Sequence, residues 1–251
     1  MPFLVNGWAE AVFHVLAHVR GTAHLAASAY DPGYVAEVER QLGPAGQRQL
    51  GDDAVMLGHL LGTHDVLAAA QCLAWLFRSP ARAEAVAGRD LADLAPEDVD
   101  APALLPGVRK TGAAAEILRA TAELEAPLLA ALPRPAIDLG ALGDALARVT
   151  GAAPHLAACA VGVLRPLGRR GRVLGREIWV GATSIDHLAW QAAHEATVAE
   201  VAAAMRSRGE TPTHARMERE ALALLEGRAR AAGLTAPHRA WLGHLVLPAE
   251  P

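Results

Sequence analysis

Residues 183–209, TSIDHLAWQAAHEATVAEVAAAMRSRG, decide the fold class. Thr183 or Ser184 stands where an N-cap belongs, because a hydroxyl there accepts from the orphan amides of a first helical turn. Alanine is the commonest residue of the segment, and it gives up no side-chain entropy on entering a helix. A long helix is the expectation. The rest of the chain shares the bias: alanine supplies roughly a quarter of the 251 residues, hydrophobic side chains 52% and aromatics only 4%. Small side chains let helices pack closely. The expected fold is therefore mainly α, a helical bundle.

The same punctuation recurs outward from this segment. Asn6 or Gly7 opens a first helix with Glu10 in its first turn, where a carboxylate meets the positive end of the helix dipole. Asp31 as cap and Pro32 at the first helical position restart the chain, which stops at Gly43-Pro44. Asp52 or Asp53 opens a long helix that runs to Ser79-Pro80. Residues 81–110 read as short helices and surface loop, and a further helix starts near Thr111. The Pro-Arg-Pro tripeptide at 133–135 is a soft boundary, yet both flanks are helical and short, so residues 1–251 are expected as one predominantly helical domain.

The period changes after a short helix over 137–151. HLAACAVGVL (155–164) and RVLGREIWVGAT (172–183) look like two strands joined by a Pro/Gly/Arg-rich turn, one β-hairpin over about 155–183; the alternative is that 155–164, rich in alanine, stays helical. Thr211 with Pro212, and later Thr235, mark two more helix starts, with Gly233 as a stop between them.

Charge narrows the function classes. The net charge is −4 with 11 histidines, and the pI is about 6.3, so a dedicated nucleic-acid binder is not expected. The one basic cluster, RPLGRRGRVLGR (165–176), reads as a solvated hairpin tip, with a phosphate or an acidic protein partner as the alternative. Cys72 and Cys159 both sit in apolar runs, which suits buried free thiols. No apolar run reaches membrane-spanning length and no basic stretch precedes one at the N-terminus, so the expectation is a cytoplasmic protein without a membrane partner.

The histidines carry the chemistry. His14 and His18 are four apart in FHVLAH (13–18), and positions i and i+4 of a helix share a face, so two imidazoles can converge on one ion. Glu10 lies a turn earlier on that face. In 183–209, His187, Gln191 and His194 again share a face, and Glu195 is the next residue after His194. That His-Glu order resembles the zinc peptidases, in which a glutamate beside the first ligand acts as general base on metal-bound water. Their second histidine, four residues on, is replaced here by Val198, so the motif is incomplete. His64-Asp65 similarly resembles the centre of the HD phosphohydrolase site, but no later aspartate lies inside a helix to complete it.

These spacings predict a metal-dependent enzyme, a zinc-type hydrolase with His14, His18, His187 and His194 as ligands and Glu195 or Glu10 as general base, acting on a small-molecule or peptide substrate. Iron in an oxidase is a lesser option. The alternative is a non-catalytic helical module that binds a protein or peptide through 165–176. His24, His155, His214, His238 and His244 read as ordinary. No nucleophile elbow, P-loop or dinucleotide fingerprint occurs.

Overall fold

The computed structural model describes residues 3–4, 6–17, 30–37, 39–41, 43–45, 72–86, 88–109, 137–181 and 183–245. The chain divides into two compact units, one formed by Asn6–Arg134 and the other by Met1–Val5 with Pro135–Pro251. Helix dominates the described residues, which also contain a four-stranded sheet.

In the unit formed by Asn6–Arg134, helix α1 (Gly7–Ala17) begins where its cap dictates. The Asn6 Oδ1 accepts from the Ala9 amide at 3.0 Å, and Asn6 Nδ2 donates to the Phe77 carbonyl at 2.9 Å. One side chain thus starts the helix and ties it to the segment 72–77. The Trp8 indole donates to the Leu73 carbonyl at 3.0 Å, and the Phe13 ring meets Trp75 edge-on at 5.1 Å. Trp8, Phe13 and Leu16 are fully buried. Asp31 caps the next helical stretch by accepting from the Tyr34 amide at 2.7 Å. Helix α2 (Pro80–Glu84), three 3-10 turns and α3 (Leu105–Arg109) come next, as the prolines and acidic residues of 81–110 suggest.

In the other unit, helix α4 (Leu139–Thr150) is capped by Asp138, whose carboxylate accepts from the Ala141 amide at 2.9 Å. Strands β1 (Phe3–Leu4), β2 (Ala160–Val163), β3 (Gly171–Leu174) and β4 (Glu177–Val180) form one sheet in the order β1-β2-β4-β3. The expected hairpin is corrected here. Residues 160–163 and 177–180 run parallel, and the hairpin is β3–β4 alone. Residues 155–158, expected as strand, lie in a 3-10 helix opened by Pro154. The true turn is Gly175-Arg176: Gly175 takes φ +61° and is the first of two central residues, the position a II′ turn reserves for glycine.

Close approach explains a second glycine. A methyl group on Gly181 would stand 2.0 Å from the Gly168 carbonyl oxygen, so only glycine lets the chain leaving β4 cross the 165–170 connection. That connection buries Pro166 and Leu167 and leaves Arg169 exposed.

Helix α5 (Ile185–Ser207) is the centre of this unit. It packs against α4, the sheet, α6 (His214–Ala231) and α7 (Thr235–Leu242). Neighbours on several sides explain why its alanines carry so little one-sided pattern: Ala189, Ala192, Ala193 and Ala196 are all buried. Ser184 caps it, accepting from the His187 amide at 3.4 Å. Helix α6 starts at His214 with Thr213 at the cap position, two residues beyond the expected Thr211. Arg228 of α6 holds Glu200 of α5 through two bonds of 2.7 Å.

Candidate functional site

Helix α5 brings His187, Gln191 and His194 onto one buried face, but the two histidines have different surroundings. His194 Nε2 lies 2.9 Å from Glu218 Oε2 on α6, and its ring is 5.4 Å from Trp241 on α7. His194 Nδ1 is buried with no partner. His214 Nδ1 stands 3.8 Å from the other Glu218 oxygen. Burial pushes the Glu218 carboxyl up, but the bond and charge of His194, with His214 nearby, outweigh it and hold the group below its ordinary value.

Glu195 faces β3. Its Oε1 accepts from Gln191 Nε2 at 2.9 Å, and a methyl on Gly171 would stand 2.5 Å from that oxygen. Glycine at 171 is what lets the strand lie over the carboxyl. Burial raises the Glu195 pKa in spite of His194, Arg172 and the Gln191 bond.

A pocket of about 620 Å³ opens at the N-terminus of α5. Thr183, Ser184, His187, Trp190, Trp241, Arg169 and His244 are among the residues that line it. The Arg169 guanidinium lies 3.4 Å from His244 Nδ1, and the His187 and His244 rings are 6.5 Å apart. His187 is 7% exposed, and its Nε2 is buried without a hydrogen-bond partner. Burial pushes its pKa below the ordinary histidine value, against a hydrogen bond with the Arg169 backbone; the charges of Arg169 and His244 lower it further. His238 packs 5.2 Å from Trp190 and 5.6 Å from Trp241, and burial lowers its pKa too.

Of the other expected ligands, His14 is fully buried in the unit formed by Asn6–Arg134, where its Nδ1 lies 2.7 Å from the Tyr34 hydroxyl. Glu10, in the same helix, is half-buried. His18, His24, His59, His64 and Asp65 lie outside the described residues. Among the described residues no three His, Cys, Asp or Glu side chains are placed to hold one metal ion. Cys72 and Cys159 are free thiols, and burial raises the pKa of each. No helix among the described residues is long and apolar enough to cross a membrane.

Sequence spacing alone does not single out Arg169, Glu218, His238, Trp241 or His244 as site residues. A signal is present in HRAWLGH (238–244), which sets His238, Trp241 and His244 three residues apart. No protein-family model matches the chain, and comparison with curated proteins and with solved structures gives no match either.

Proposed function

We propose that the C-terminal pocket is the site of a small-molecule enzyme of acid–base type, hydrolytic by default, with His187 as general base. One observation carries this: a buried imidazole whose pKa burial lowers lines a pocket of about 620 Å³, and its Nε2 has no hydrogen-bond partner. Such a nitrogen can take a proton from water or a hydroxyl as a new bond forms, and a base that is neutral near pH 7 is available for the task. The volume suits a small molecule with a flat apolar part against Trp190 and Trp241. A reducing, cytoplasmic setting belongs to the same reading, on two free cysteines. A panel of chromogenic esters, amides and phosphoesters tests it. At least one class is turned over, and His187→Gln lowers that rate roughly 100-fold or more with unchanged circular dichroism. Unimpaired turnover by His187→Gln contradicts the reading.

A zinc- or iron-dependent hydrolase is the second reading. The observation favouring it is His194, whose Nε2 is held by Glu218 while its buried Nδ1 has no partner, the way a carboxylate orients an imidazole for an ion. Elemental analysis of protein purified without a His-tag decides it. Stoichiometric metal, lost in His194→Ala, supports the metal reading, and metal-free active protein ends it.

A further inference from the structure

We infer that the ligand of this pocket carries an anionic group, a carboxylate or phosphate, seated between Arg169 and the N-terminus of α5. The inference rests on the general-base reading of the pocket and adds the charge of what enters.

Four observations converge. Arg169 is exposed and makes no ion pair with a carboxylate among the described residues; its neighbour is His244. The one carboxylate in the pocket lining, Asp186, lies 3.2 Å from Arg148, so the lining keeps a guanidinium in excess. The pocket meets the first turn of a 23-residue helix. There Ser184 Oγ serves the His187 amide, and the Leu188 amide reaches the Ser184 carbonyl. The earlier amides of the turn have no intrahelical acceptor and present the positive end of the dipole. Finally, two buried polar atoms in the lining, His187 Nε2 and Thr183 Oγ1, have no partner. Desolvated groups of this kind destabilise the fold unless something bonds to them.

The ligand's anion bonds Arg169 and the first-turn amides, with the Thr183 hydroxyl donating as well. Its apolar body lies along Trp190 and Trp241. Nε2 of neutral His187 faces a donor, a hydroxyl or the attacking water, and not the anion itself.

Isothermal titration of the full chain with benzoate, phenyl phosphate and benzyl alcohol tests this. At least one anion is expected to bind about tenfold or more tightly than the neutral alcohol, a step typical of a charge-assisted contact. The tighter of the two names the group. Arg169→Gln removes that preference and leaves benzyl alcohol unchanged; Arg169 is exposed, so the variant keeps the fold. Equal affinity for all three probes, or an anion preference that survives Arg169→Gln, overturns the inference. If the anion preference depends on Arg169 while His187→Gln retains full turnover, the general-base reading fails and anion recognition stands.

Discussion

His187 combines burial with an Nε2 that has no hydrogen-bond partner. His194 and His238 also keep one nitrogen without a partner; what sets His187 apart is its place in the pocket lining. Its lowered pKa sets a pH profile: kcat/KM is expected to be flat near neutrality and to fall once the pH passes below the depressed value, under the ordinary 6.5. The same sign governs stability. His187 and His238 bind a proton less readily folded than unfolded, so stability is lost as the pH falls through 6.5 toward their folded values. His238→Gln should therefore reduce the drop in Tm between pH 7.5 and 5.5; an unchanged drop assigns it to other groups. Glu218 behaves as a depressed carboxylate, stabilising above its unfolded value of 4.5 and losing that contribution as acid protonates it. Glu218→Ala should cost roughly 1–3 kcal/mol at pH 7 in denaturant unfolding, because it strands the buried His194. The histidine spacing was legible in the chain. The partners were not: Glu218 is 24 residues from His194 in sequence, and adjacency across helices leaves no mark in a local pattern.

Helix α5 could be read from its cap and its alanines, because both act within a few residues. The sheet could not. Pairing of β2 with β4 is parallel and spans a connection whose geometry depends on a close approach of Gly168 and Gly181. Alternation alone cannot separate a strand from the Pro154-opened 3-10 turn before it. The glycine contacts give a direct check. Gly181→Ala forces a methyl into backbone that cannot move aside, and a loss of about 3 kcal/mol or more is expected in chemical unfolding. Gly175→Ala meets no neighbour but must hold φ +61°, so it should lose only about 1 kcal/mol. Equal effects of the two would place the strain in the turn instead of the crossing.

At the scale of the molecule, the chain's first residues belong with its last hundred. Phe3 packs against the core of the C-terminal unit, lying 3.8 Å from the point where a methyl on Gly143 would sit, and β1 adds an edge to β2. Phe3→Ala should lower the stability of that unit by roughly 1–2 kcal/mol, read from the near-ultraviolet signal of its buried Trp179 and Trp190. Everything proposed for this unit depends on a neutral His187 that meets a ligand in the pocket. The most direct check is nuclear magnetic resonance of the His187 ring, titrated with pH and then with phenyl phosphate and benzoate. The expected result is a neutral ring at pH 7, a pKa below 6.5, and a shift on adding at least one of the two anions. A ring that titrates at the ordinary value and ignores both ligands would contradict the proposed site.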